Sequence, residues 1–114
     1  VTIVKIIRQE DLVKTQVSHN ANIGKTVFIQ PGEIPNIVYF SQATFPPGEV
    51  ALEHAHTDMT EVFYIQFGEG AIKVDDKVLP LNTGDCITVA PGEKHELVNM
   101  GIDDMIVTYF GVKT

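Results

Sequence analysis

The chain has 114 residues, of which 44% are hydrophobic, and its 15 acidic and 8 basic side chains give a formal net charge of −7. This length fits one domain with its own core, no apolar run approaches the ~20 residues that span a bilayer, and the acidic balance disfavours nucleic acid and anionic membranes as partners. The single cysteine, Cys86, cannot form an internal disulfide, so the sequence predicts a reduced, cytoplasmic protein.

Apolar and β-branched residues recur with a period of two over most of the chain, which predicts strands separated by Gly, Pro, Asn and Asp turns. In chain order, strands are predicted over residues 1–7, 25–30, 36–45, 50–56, 61–67, 71–74, 78–81, 85–90, 95–100 and 105–112. Residues 10–16 are polar and predict a turn or an irregular stretch. Ten short strands indicate an all-β sandwich or barrel that forms one domain over residues 1–114.

Three of the four histidines lie in two short windows of this pattern. His54 and His56 are two residues apart, so on a strand their imidazoles project from the same face. Glu61 begins the next predicted strand after a connection of four residues, and His95 opens a later strand just past the turn at residues 91–92. Each histidine alone is compatible with an ordinary hydrogen bond to the backbone. The four residues together predict a metal site.

The predicted ligand set of three neutral imidazoles and one carboxylate suits one divalent transition metal, and ligand type does not separate Fe, Mn, Ni, Co and Zn. A structural zinc site usually carries thiolates, and the only thiol lies outside these windows. Octahedral coordination by four protein ligands leaves two positions for water, substrate or dioxygen. The residues therefore predict a metal ion that is accessible to a small molecule.

The spacing of nine residues resembles the two motifs of a known family, the cupins. The first motif is a glycine, five residues, His-x-His, three or four residues, Glu, six residues and a glycine, matched by Gly48, His54, His56, Glu61 and Gly68. The second runs from a glycine through a Pro-x-Gly turn to a His and then an Asn, matched by Gly84, Gly92, His95 and Asn99. The motif proline departs by one position, because Ala90 stands in its place and Pro91 follows.

The resemblance implies a jelly-roll β-barrel, the double-stranded β-helix, with the metal inside it and the two motifs at residues 48–68 and 84–99. The reactions of similar proteins include dioxygenation, isomerisation and decarboxylation, and a small single barrel with an intact ligand set favours dioxygenase-like chemistry on a small oxygenated molecule. The alternative is a non-catalytic barrel that binds a small molecule or the metal itself. A homodimer is also expected, since the apolar segment at residues 1–7 needs a partner strand.

Phe63 and Ile65 share strand parity with Glu61, and Leu97 shares it with His95, so these three side chains are predicted to face the barrel interior beside the metal. Tyr39 is predicted on a facing strand, and Met59 at the cavity mouth, in the connection between the metal strands. The predicted pocket residues are Tyr39, Met59, Phe63, Ile65 and Leu97. Plain core packing is the alternative for each of these five residues. His19 is predicted at the surface, in a turn-rich stretch, and Cys86 is predicted as a small buried hydrophobe.

Overall fold

The computed structural model describes residues 4–114, except for the side chains of residues 52–54, and within that range the chain forms ten strands and one 3-10 turn. The 3-10 turn is Gln9–Asp11, and the strands are β1 (Thr15–Val17), β2 (Asn20–Ile29), β3 (Ile37–Phe45), β4 (Val50–His54), β5 (Met59–Phe67), β6 (Glu69–Val74), β7 (Lys77–Asn82), β8 (Cys86–Val89), β9 (His95–Asn99) and β10 (Met105–Lys113). The described residues include no helix long and apolar enough to cross a membrane.

The strands form two antiparallel sheets, and the predicted all-β jelly-roll barrel is confirmed. The larger sheet has the order β1-β2-β3-β10-β5-β8, and the smaller has the order β4-β9-β6-β7. Buried and more exposed residues alternate along most of β5. Its buried residues are Met59, Glu61, Phe63 and Ile65, and its other five residues are more exposed. The core lies between the sheets and includes Ile65, Ile72 and Val107, each of which contributes ~1.5–3 kcal/mol through burial.

The prediction of an N-terminal strand is wrong for residues 4–7, which have no regular secondary structure, and residues 1–3 lie outside the described residues. Val4 and Ile6 are 82% and 71% exposed, and none of the described strands pairs with them. Instead, β1 forms within the polar stretch that predicted a turn, and β2 begins at Asn20 rather than at Lys25. The expected homodimer stays a prediction.

Asn99, at the end of β9, ties three segments together at one end of the barrel. Its side-chain amide donates hydrogen bonds of 2.8 Å to the carbonyl oxygens of Phe45 and Asp103. Its side-chain oxygen accepts a 2.8 Å hydrogen bond from the Gly101 amide, and the residue is 1% exposed. Because this buried amide donates to carbonyl oxygens on two separate segments, its removal leaves both carbonyl groups without this donor.

We expect Asn99→Ala to lower the free energy of unfolding by about 2 kcal/mol, since it leaves buried carbonyl groups without their donor. Urea denaturation followed by circular dichroism measures this loss. Asn82→Ala is the matched control, because Asn82 is exposed and its substitution should change stability by less than about 0.5 kcal/mol. Equal stability of the two variants would contradict this role for Asn99.

Candidate metal centre

The four predicted metal ligands come from two paired strands of the smaller sheet, one strand of the larger sheet and one connection. His54 is the last residue of β4, and its backbone pairs with that of His95, the first residue of β9. The side chain of His54 lies outside the described part of the chain. Glu61 is the third residue of β5. These placements bring the ends of two sheets together around one point.

His56 is not on a strand, which corrects the prediction that β4 continues to this residue. The register of β4 against β9 shifts between Ala51 and His54, so regular pairing ends there and simple alternation does not position His56. A tertiary hydrogen bond holds it instead, because the Gly92 amide donates to the His56 carbonyl oxygen over 2.7 Å. The two motif loops are thereby joined directly to each other.

Glu61 is the centre of the described part of the site. Its Oε1 atom lies 3.0 Å from Nε2 of His95 and 3.6 Å from Nε2 of His56. Its Oε2 atom accepts a hydrogen bond from the Tyr39 hydroxyl. Glu61 is 3% exposed and His95 is 1% exposed, whereas the side chain of His56 is 37% exposed. Three of the four predicted ligands therefore meet at one carboxylate, with His56 on the solvent side.

The orientation of His95 is fixed by the turn that precedes it. Its Nδ1 atom lies 3.1 Å from the carbonyl oxygen of Glu93, which only accepts hydrogen bonds, so Nδ1 carries a proton. The turn itself is closed by the Glu93 carboxylate, which accepts a 2.8 Å hydrogen bond from the Ala90 amide. Such a carbonyl partner is the usual second contact of a metal-binding imidazole, since it fixes the proton on Nδ1 and the orientation of the ring.

Burial and hydrogen bonding shift the pKa values of Glu61 and His95 in opposite directions. Burial raises the pKa of Glu61, but hydrogen bonds with His95 and Tyr39 outweigh it and leave the pKa below its usual value. Burial likewise lowers the pKa of His95, and the contact with Glu61 and the Glu93 carbonyl raises it above its usual value. Burial and the nearby Glu61 charge raise the pKa of Tyr39, so its phenol stays protonated and remains a donor.

The donor set fits a divalent metal ion. Nε2 of His95 and Oε1 of Glu61 lie 3.0 Å apart, and these two electron-rich atoms attract each other only through a cation that they share. A proton or a metal ion can serve as that cation. Within the described side chains, which do not include that of His54, no group of three His, Cys, Asp or Glu residues is placed to hold a metal ion.

A cavity of about 580 Å³ opens between the sheets beside this centre. His56 and Glu61 contribute to its wall, together with three of the predicted pocket residues, Tyr39, Phe63 and Leu97. The volume is within the range of small-molecule sites. Much of the wall is apolar, which favours a ligand that presents a few polar atoms to the centre around Glu61 and packs its remainder against side chains.

Met59 and Ile65 are the two predicted pocket residues that do not line the cavity. Ile65 is fully buried in the core cluster, where neighbouring side chains cover it. Met59 is also buried and its Sδ atom covers Gly111, at which an added Cβ would lie 2.7 Å from the sulfur. Both share the inward parity of Glu61, but parity does not say which inward positions border an open space.

Several lining residues have no signal in the sequence pattern. Lys25 and Ser41 line the cavity from β2 and β3, and His19 lines it from the turn between β1 and β2. His19 is exposed as predicted, yet its turn folds over the cavity. The pairing of β2 with β3 determines that these residues line the cavity. Only for Ser41 does the sequence carry a signal, because Ser41 shares strand parity with Tyr39.

The prediction that Cys86 is buried is wrong, because its thiol is exposed. Cys86 pairs with Tyr64 on the edge strand β8, and Tyr64 is itself 45% exposed. Cross-strand partners point to the same face, so both side chains lie on the outer face of the larger sheet. The thiol is therefore remote from the centre around Glu61.

Comparison with known proteins gives one family match. The family model described as Cupin domain matches residues 41–110, which include both motif histidine windows. The chain is 33% identical over 66 residues to an oxalate-binding protein of Thermotoga maritima, a match that covers 58% of this chain. It spans about half of that relative's length, 54%.

Solved structures support the same fold. The crystal structure of a predicted oxalate decarboxylase from Thermotoga maritima superposes with a TM-score of 0.88 at 21% identity, covering 96% of this chain and 100% of that chain. A sugar phosphate isomerase from Silicibacter pomeroyi superposes with a TM-score of 0.83 at 16% identity, covering 96% of this chain and 76% of that chain. At these identities the likeness concerns the fold alone.

Proposed function

Because the chain belongs to the cupin domain family, we propose that it is a metal-dependent protein that binds a small oxygen-rich acid in the cavity beside Glu61. The proposed metal ligands are His54, His56, Glu61 and His95. The observation that carries the proposal is the meeting of His56 Nε2 and His95 Nε2 at one oxygen of the buried Glu61 carboxylate, on the wall of this cavity. A divalent ion held there acts as a Lewis acid toward oxygen ligands.

The side chains around the proposed centre hold it in place and keep protons where binding needs them. Tyr39 donates to Glu61 Oε2, which leaves Oε1 directed at the two imidazoles. Burial raises the pKa of Tyr109 to about 12, so its phenol remains a neutral donor in the cavity. Phe63 and Leu97 supply apolar wall, which limits water around a bound ligand.

The ligand class follows from two observations. Two adjacent oxygen donors, as in a 2-oxo acid or a dicarboxylate, would suit two open positions of one metal ion. The relative of 33% identity is named an oxalate-binding protein. We favour an enzyme, with dioxygenation as the leading reaction class and decarboxylation or isomerisation as alternatives. The printed name of that relative also favours a second candidate function, a non-catalytic barrel that binds a small acid.

Metal analysis of untagged protein purified without added metal tests the proposal. We expect about one transition-metal ion per chain, and calorimetric binding of pyruvate or oxalate only when the metal is present. Incubation of the loaded protein with these acids, followed by oxygen uptake and carbon dioxide release, separates the enzyme from the binding barrel. Failure to bind any first-row metal ion after reconstitution would refute the proposed function.

A further inference from the structure

Lys25 is the one lysine or arginine among the described residues that line the cavity beside Glu61. It lies on β2, is half-buried, and its backbone pairs with that of Ala43 on β3. Among the described side chains, no carboxylate lies within ion-pair distance of its ammonium group. The half-buried Lys25 lines the cavity, where a bound anionic ligand can supply a partner for its charge.

The sheet register fixes the position of Lys25 relative to the metal centre. Tyr39, Gly111 and Glu61 lie in one row across β3, β10 and β5. Lys25, Ala43 and Val107 lie in a second row across β2, β3 and β10. Ala43 is four positions after Tyr39 on β3, so the rows are roughly 13 Å apart along the strands, and β3 and β10 lie between β2 and β5, which adds roughly 14 Å across the sheet. The long lysine side chain shortens this separation.

The row midway between these two rows is polar as well. It contains Ser41 and Tyr109, which face each other across β3 and β10 and each carry a hydroxyl group. Ser41, Tyr109 and Lys25 all line the same cavity as Glu61. The wall thus offers a ligand the proposed metal at one end, hydroxyl groups in the middle and a cation at the other end.

We infer that the ligand of this cavity is an acid with two separated anionic ends, a metal-chelating head and a distal carboxylate that pairs with Lys25. The inference rests on the proposed function, since the chelating head requires the metal site. A single ammonium group suits a carboxylate, which carries one charge. The ligand is therefore longer than oxalate, whose two carboxylates are adjacent and are both used in chelation.

Isothermal titration calorimetry of the Mn(II)-loaded protein with pyruvate, 2-oxoglutarate and 2-oxoadipate tests this inference. The three acids share the chelating head, and only the two longer acids carry a distal carboxylate. We expect the wild type to bind at least one longer acid about tenfold more tightly than pyruvate. Lys25→Met should abolish this preference while pyruvate affinity stays within about threefold, and Lys25→Arg should retain most of the preference.

Lys77→Met is the matched control, because Lys77 is exposed on β7 and does not line the cavity, so the preference should persist. Thermal unfolding and metal content of each variant establish that it is folded and loaded. A wild type that binds metal and pyruvate without preferring a longer acid overturns this inference alone, as does a preference that survives Lys25→Met. A wild type that binds neither metal nor pyruvate overturns the proposed function and this inference with it.

Discussion

Glu61→Gln is expected to weaken the binding of a divalent metal ion by at least about 100-fold, because outer residues of metal sites already cost 10- to 100-fold when they are lost. Glu61 supplies the only carboxylate among the proposed ligands, and its Oε1 atom lies 3.0 Å from Nε2 of His95 and 3.6 Å from Nε2 of His56. Glutamine keeps the shape but removes the negative charge that offsets the charge of a buried cation.

Competition between the protein and a fluorescent metal chelator measures this affinity for Mn(II), Co(II) and Zn(II). Glu96→Gln is the matched control. Glu96 lies between the buried residues His95 and Leu97 on β9, so its side chain faces the opposite side of the sheet. The control should bind metal as the wild type does. If Glu61→Gln bound metal as tightly as the wild type, Glu61 would not be a metal ligand.

Gly70→Ala is expected to lower the free energy of unfolding by about 4 kcal/mol or to prevent folding, through overpacking against backbone that has no room to move. A Cβ atom at Gly70 would lie 2.2 Å from the carbonyl oxygen of Val98 and 2.7 Å from Sδ of Met105. The obstacle is the paired strand β9, whose displacement would break hydrogen bonds with both β6 and β4.

Gly24→Ala provides the control, because a Cβ at Gly24 meets only the Thr15 carbonyl oxygen, at 3.9 Å, and the residue is also within a strand. Its effect should stay within about 1 kcal/mol, since alanine loses less backbone entropy than glycine on folding. Urea denaturation of both variants provides the comparison. Similar stabilities would show that β9 yields to the added methyl group.

These two substitutions separate the two tasks of the barrel wall. Glu61 is buried and polar and holds the proposed centre, whereas Gly70 permits the close strand packing on which the smaller sheet depends. His95 belongs to both tasks, because it opens β9 and also points Nε2 at Glu61. Loss of metal binding with intact stability in Glu61→Gln, beside loss of stability in Gly70→Ala, would establish this division.

The sequence by itself determined the fold class and the meeting of the motif residues. A period of two is a local property of the strand backbone, so the all-β barrel was predictable from residue order. The spacing of Gly48, His56, Glu61 and His95 carried the family resemblance, and the structure brings the last three together. That they hold a metal ion, with His54 as the fourth ligand, stays a prediction.

Only the tertiary structure decided what surrounds that centre. His56 is positioned by a hydrogen bond from Gly92 beyond a register shift in β4, and register shifts depend on the partner strand. The same parity that places Phe63 in the cavity wall places Ile65 in the packed core. Lys25 reaches the cavity because β2 pairs with β3, a contact between segments that are distant in sequence. Local periodicity determines the face of the strand on which a side chain lies. Strand pairing determines which residues or cavities that face borders.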